Sequence, residues 1–258
     1  MTAVLTLARL QIMENIRRQV HLITLFFGIL LLMLPAFVNT FSMGLNGFEL
    51  VAKDFGLTLI GYYGLIMAIF QGSTVIPTDI ERKTIYPILS RPVSRLDYIL
   101  GQFLGIVVLL FASMLVLGIC LTVSVGTLAQ HFEWRMLLAV YGSYLECLLV
   151  AAVCLCFSTL ASPPLAGVIG VFIYLVGGLS DVFIKFFIMG DRSAPAVAWL
   201  AEHLRDLLPR FGMFHLKLAV VHDFPIDPGF LGALTLYGAS WMVLFLLLAA
   251  LAFSRRDL

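Results

Sequence analysis

The chain has 258 residues, 61% of them hydrophobic and only 12% charged, with a net charge of +1 and a mean hydropathy of +1.04. Soluble domains carry about 25% charged residues, and a fold of this length cannot hide so much apolar surface from water. Lipid must therefore be the solvent for most of the chain, and the near-neutral charge excludes a globally basic nucleic-acid binder.

Residues 3–20 place Val4, Leu5, Ala8, Ile12, Ile16 and Val20 along one helical ridge, with Arg9, Glu14, Arg17 and Arg18 elsewhere. That pattern predicts a helix lying in the membrane interface. The first long apolar run, 21–41, follows a leader of about twenty residues and offers no A-x-A cleavage site, so it reads as a retained helix rather than a signal peptide. Further windows long enough to cross a bilayer fall at 56–76, 99–126, 136–161, 164–188 and 230–253, giving six predicted spans.

Orientation follows from the Lys and Arg residues that flank the spans. One side holds Arg9, Arg17, Arg18, Arg82, Lys83, Arg91, Arg95, Arg255 and Arg256, whereas the short loops opposite hold Lys53 and Arg135. Both termini and the 77–98 loop are therefore expected in the cytoplasm. The long 189–229 segment is expected outside, with an amphipathic helix over 193–210 on the stripe Val197, Leu200, Leu204, Leu207 and Leu208.

The loop sequence DIERKTIYPILSRPVSR, 79–95, is the densest charged stretch in the chain. Thr78 or Asp79 can cap a short helix over about 79–85, because Glu81 stands three residues after Thr78 as in a capping box. Pro92 biases Arg91 away from helical geometry, so 89–95 reads as a turn into the third span. Mixed charge beside Ile85, Tyr86 and Ile88 suits a docking surface for a soluble partner. An anchor that only fixes topology is the alternative.

Inside the spans, Glu146 is the sharpest polar residue. A charge at mid-bilayer costs about 2.5–3.5 kcal/mol, so it should face a bundle interior or cavity. It reads either as a translocation or gating carboxylate or as a protonated packing group. Gln71, Ser73 and Thr74 can line a path or bond neighbouring helices. Asp181 and Lys185 can pair at i,i+4, and Gly101 with Gly105 form a GxxxG packing surface. Cys120, Cys147, Cys154 and Cys156 all sit in apolar runs and read as small hydrophobes. No GxxxxGK[ST], HExxH or GxSxG motif is present in the sequence, so neither an ATP site, a metal site nor a catalytic nucleophile is expected in this chain.

The stretch ERKTIYPILSRPVSRLDYILGQFLG resembles the cytoplasmic loop and third-helix entry of ABC-2 type transporter permeases. The likeness is to the six-span bacterial group that includes the nitrous-oxide reductase maturation and gliding-motility permeases. Glu81, Lys83, Thr84, Ile88, Leu89 and the turn Pro92-Val93-Ser94-Arg95 carry it, although many members have Gly where this chain has Lys83. Glu146 followed by STLASPP, LLPRFGMFHL in the outer loop, and the closing AFSRRDL fit the same order.

The resemblance implies an all-α polytopic fold, with residues 1–258 as a single permease domain in the bacterial cytoplasmic membrane. It implies that Asp79, Glu81, Arg82, Lys83, Thr84, Ile85 and Tyr86 form a coupling helix against a cytoplasmic ABC ATPase. Arg91, Pro92, Ser94 and Arg95 would make the turn that passes motion on. Two ATPase copies would hold ATP and Mg, and two permeases, as a homodimer or heterodimer, would meet along spans 1 and 5. A secondary transporter or channel is the competing class, but it would call for an internal repeat that the two halves do not display.

Overall fold

In lipid, long apolar runs can satisfy their backbone groups internally only as helices or closed barrels. The computed structural model of the chain describes residues 2–17, 20–42, 48–81, 94–129, 133–189 and 208–254. Every regular element among them is helical: α1 (Thr2–Arg17), α2 (Val20–Ser42), α3 (Phe48–Glu81), α4 (Arg95–Ala129), α5 (Met136–Ser158), α6 (Pro163–Met189), a 3-10 turn (Phe211–Phe214), α7 (Lys217–Val221) and α8 (Pro228–Ser254). Among the described residues four helices, α3, α4, α5 and α8, are long and apolar enough to cross a membrane. The described apolar stretches of α2 and α6, Leu22–Met33 and Pro163–Gly178, are shorter. The chain is thus a helical membrane protein, and the six predicted windows each fall on one of these six helices. The helix expected over 193–210 lies almost wholly outside the described residues.

α5 is the centre of the bundle and packs against α3, α4, α6 and α8. Its buried residues run almost without a break from Leu145 to Cys156, as expected of a helix that is apolar all round. The outer helices instead leave large apolar side chains exposed, among them Phe26, Phe111, Phe172 and Leu236. Lipid is as apolar as these side chains, so they need no protein partner. Scattered hydrogen bonds join the helices: Thr24 with Tyr63 at 2.5 Å, Ser124 to the Leu31 carbonyl at 2.8 Å, and Tyr141 with Thr235 at 2.9 Å.

Two boundaries differ from expectation, each for a local reason. Residues 79–81 do not open a new helix; they belong to α3, which runs on through Pro77. Proline is tolerated in spanning helices because neighbouring groups can satisfy the freed backbone. Among the described residues the next helix start lies at Ser94. Its hydroxyl accepts from the Asp97 backbone N–H at 3.1 Å and donates to Asp97 Oδ2 at 2.7 Å, a reciprocal cap on the first turn of α4.

α1 lies against α4, and the described part of the ridge read in the sequence is partly in that contact, with Ala8 buried and Val4 and Ile12 half-buried. Leu7, Ala8, Gln11 and Asn15 are buried, whereas Leu10 and Met13 are 53% and 47% exposed. The seat is made by Gly101 and Gly105. A Cβ on Gly101 would stand 2.6 Å from Leu7 Cβ, and one on Gly105 would stand 2.6 Å from Gln11 Cγ. The GxxxG pair therefore receives α1 rather than another span. The polar Gln11 and Asn15 turn inward and the apolar Leu10 and Met13 are exposed, the reverse of what water would impose.

The docked end holds both described chain ends, since Arg95 at the start of α4 bonds the last carbonyls of α8. Replacing Gly101 and Gly105 together by Leu should lift α1 from its seat. Overpacking of this kind costs about 1–3 kcal/mol. The check is maleimide labelling of a Leu7→Cys reporter, which should rise sharply in the double variant. Unchanged labelling would show that α1 is held by something else.

Candidate functional site

Glu146 stands ten residues into the 23-residue α5, about 15 Å along its axis. A carboxyl group at that depth requires a polar neighbour, and the chain supplies one by folding back from the far end. Pro209 and Arg210 lead into the 3-10 turn, and the Arg210 backbone N–H donates to the Tyr237 hydroxyl at 2.9 Å. Phe211 and Phe214 are fully buried, Phe211 edge-on to Tyr174 and Phe214 beside Tyr237. Gly142 makes this insertion possible. A Cβ there would meet the Phe214 carbonyl oxygen at 2.6 Å, so only glycine lets the loop backbone approach α5 so closely.

The fold-back delivers His215 to the carboxyl. Nε2 lies 3.1 Å from Glu146 Oε1, with the imidazole half-exposed and the carboxyl buried. The contact is close enough for an ion pair but is not aligned as a hydrogen bond, and Oε1 has no hydrogen-bond partner. Two residues on, Lys217 is already neutralised. Its Nζ lies 3.0 Å from Asp54 Oδ1 and donates to the Thr58 hydroxyl at 2.9 Å.

These groups line a cleft of about 380 Å³ between α3, α5, α6 and α7, walled by Tyr62, Ser143, Glu146, Tyr174, His215 and Lys217. A second, apolar cavity of about 680 Å³ continues between α3 and α6 toward the docked end, past Ile69, Phe70, Ser73, Thr74, Gly167 and Val171. On α3 the lining residues of the two cavities form one stripe: Thr58, Tyr62, Leu65, Ile69, Ser73. With Thr74 it extends over about 24 Å, close to the thickness of a hydrocarbon core.

A second polar layer closes the docked end. Asp79 is buried, and its Oδ2 accepts from the Tyr98 hydroxyl at 2.6 Å and from Gln102 Nε2 at 2.8 Å. Beside it, a chamber of about 10 Å³ is lined by Gln11, Glu14, Asn15, Gln71, Thr74 and Asp79. That is room for about one water. Arg95 Nη1 donates to the carbonyls of Phe253 at 2.6 Å and Ser254 at 3.2 Å. Its guanidinium lies over the Phe253 ring, which stacks on Tyr98. A cation at a helix C-terminus also suits the dipole.

The residues singled out in the sequence thus divide between two places. Glu146 belongs to the charged cleft. Ser73 and Thr74 border the apolar groove, both hydroxyls donating to the Phe70 carbonyl. Gln71 is buried beside the water-sized chamber, and neither its Oε1 nor its Nε2 has a hydrogen-bond partner. Asp79 faces inward to Tyr98, whereas Glu81 and Ser94 are exposed. Arg82, Lys83, Thr84, Ile85, Tyr86, Arg91 and Pro92 lie outside the described residues, as do the side chains of Asp181 and Lys185.

Sequence reasoning missed His215 and Lys217, which it read as loop residues, Tyr98, which closed the 77–98 loop, and Gln102, which it read as part of a span. The signal for the first pair was RFGMFHLK: two Phe residues bracketing Gly-Met between the two proline-bounded parts of the loop, with His and Lys directly behind them. Among the described residues no group of His, Cys, Asp and Glu is placed to hold a metal ion. No protein-family model matches the chain, and a search of curated proteins finds no match.

His215 belongs to the inserted segment rather than to a spanning helix. The adjacent Glu146 carboxyl raises its imidazole above the ordinary 6.5, against the opposing effects of burial and of Lys217. A folded-state value raised above the unfolded one contributes stability in full below about pH 6.5 and loses it as pH climbs through the raised value. The melting temperature of the purified chain should therefore fall between about pH 6 and pH 9, and His215→Ala should flatten that slope. Identical slopes would remove the pair from the stability balance. Separately, Asp79→Ala should cost about 1–3 kcal/mol for each buried donor left unpaired. Thermal unfolding should show it as a loss that Asp79→Asn partly restores.

Proposed function

We propose that this chain is the transmembrane permease subunit of an ATP-driven ABC-2 exporter. On this reading α2, α3, α4, α5, α6 and α8 make six crossings, and both termini face the cytoplasm. A separate ATPase, present in two copies, binds ATP and Mg and pushes on residues 79–88. Residues 89–95 carry that motion into α4.

The observation that carries the reading is the lined seam between α3 and α6. It begins at the Glu146 cleft and is followed on the same face of α3 by an apolar groove, the two together extending over most of a hydrocarbon core. A path of that extent favours transport over a membrane-embedded enzyme, which would call for a convergent catalytic set at one depth. The loop's two anchors support the coupling part of the proposal. Asp79 is hydrogen-bonded to Tyr98, and Arg95 is bonded to the end of α8. A force on the intervening loop would therefore reach α3 and α4 through the buried Asp79 contact and α8 through the short Arg95 contact at its edge.

A tagged chain extracted in mild detergent from its native membrane should bring down an ABC ATPase subunit. The combined Glu81→Ala, Arg82→Ala and Lys83→Ala variant should insert normally but retain little of that ATPase. Recovery of no ATPase with the unaltered chain, together with solute movement in ATP-free proteoliposomes, would replace the exporter reading by a secondary transporter or channel. Full ATPase retention by the triple variant would remove the docking role from these three residues.

A further inference from the structure

Of the charged side chains that line the α3–α5–α6–α7 cleft, Lys217 has its partner within the protein, at Asp54. The Glu146 carboxyl is met by Tyr174 and by a half-exposed His215 whose approach to Oε1 is close but misaligned, so that Oε1 itself has no aligned hydrogen bond. The described lining therefore leaves one acceptor unsatisfied, Oε1 of a carboxyl more than nine-tenths buried. A buried acceptor atom without an aligned donor is a costly arrangement, and the cavity it faces, about 380 Å³, falls in the size range of small-molecule sites.

The walls narrow the chemistry of what fits. Tyr62 and Tyr174 line the same space as Glu146, and aromatic side chains attract cations. An anion would meet the Glu146 carboxyl, while Lys217 is already held by Asp54 and Thr58. Below the cleft the lining turns almost wholly apolar, past Ile69, Phe70, Val171 and Phe172. The two regions together match a molecule with a small cationic end and a hydrocarbon tail.

We propose that the Glu146 cleft is a binding site for the protonated-amine end of an amphiphile, with the alkyl chain lying in the groove between α3 and α6. The inference rests on the permease reading only in taking that groove as a substrate path. The amine must bear at least one N–H, because Oε1 requires a donor and not merely a positive charge. His215 occupies the same oxygen as an internal substitute, so it competes with the ligand and is displaced by it. Glu146 is then the specificity-determining residue, and Tyr62 and Tyr174 flank the ammonium.

The test uses the full-length chain in lipid nanodiscs, titrated calorimetrically with octylammonium and corrected against protein-free discs. Octyltrimethylammonium and octyl sulfate serve as comparison probes. Octylammonium should bind best, and Glu146→Gln should weaken it by at least about tenfold, the scale of a lost charge-assisted hydrogen bond. His215→Ala should tighten octylammonium binding, because it removes the competitor. A merely structural Glu146–His215 pair would instead make both variants weaker.

The proposal is overturned if octyl sulfate binds as well as octylammonium, or if Glu146→Gln stays within about twofold of the unaltered chain. Should Glu146→Gln fail to fold, His215→Ala on the inserted loop decides alone: tighter binding supports the site, and unchanged or weaker binding sinks it. The titration needs no ATPase. A chain that binds octylammonium but recovers no ATPase loses the exporter reading and keeps the site. One that recovers its ATPase but binds no amine loses the site alone.

Discussion

A carboxyl group halfway along the most buried helix is the constraint that much of this molecule accommodates. α5 touches α3, α4, α6 and α8, so no rotation of it can bring Glu146 to either aqueous surface. The carboxyl must find polar company at its own depth, and the far-end segment provides it. Phe211 and Phe214 fill the space among α5, α6 and α8 as anchors, and Gly142 and Gly177 leave room for the segment's backbone and rings. His215 then reaches the carboxyl. The apolar anchors fix the position, and the imidazole supplies the chemistry.

Polar residues gather in two layers separated by the apolar middle of the bundle. The far layer is ionic. Lys53 is buried between Glu49 and Glu133 at 2.7 and 2.6 Å, Arg135 pairs with Asp223 at 3.0 Å, and Lys217 pairs with Asp54. The docked-end layer depends more on hydrogen bonds, with Asp79, Tyr98 and Gln102 at its centre and Arg95 holding the last turn of α8. Ion pairs suit a rim where water still reaches one partner, since desolvating two charges costs more than their attraction returns. Hydrogen bonds to one shared carboxylate suit a layer sealed by α1. Each layer ties helices together at one end, which leaves the α3–α6 seam between them lined by side chains that make few bonds across it.

Helix existence was legible in the sequence because a spanning segment needs an uninterrupted apolar run, and such runs survive any detail of packing. All six windows fell on helices for that reason. Faces and partners were not legible, because hydrophobic periodicity assumes that apolar side chains go inward. In lipid they need not. α1 shows the point: Ala8 of the ridge is buried, but so are the polar Gln11 and Asn15, while Leu10 and Met13 are exposed. Asp79 was read as a helix cap for a related reason. Its acidic, loop-like surroundings resembled a helix start, and its true partners, Tyr98 and Gln102, lie nineteen and twenty-three residues on. Glu146 was found at once, since a lone acid in a span carries its own signal. His215 was not, because a histidine in a long loop gains meaning only when the loop folds back.

The division of polar character along the seam bears on mechanism. A uniformly polar path would hydrate and leak, and a uniformly apolar one would hold a hydrophobic molecule no more firmly than the surrounding lipid does. Here the acceptor lies in the far half, while the stretch from Ile66 to Leu175 offers apolar walls with only the Ser73 and Thr74 hydroxyls among them. Those hydroxyls already donate to Phe70, so they add little to binding. A molecule with one polar end would therefore have a preferred direction in the seam, its polar end drawn toward Glu146 and its tail toward the docked end. The barrier to leaving the cleft would lie in breaking the contact with Glu146, and His215, the group best placed to take over that oxygen, could lower it. Directionality on this view comes from the depth at which one carboxyl is fixed, which α5 and its neighbours determine.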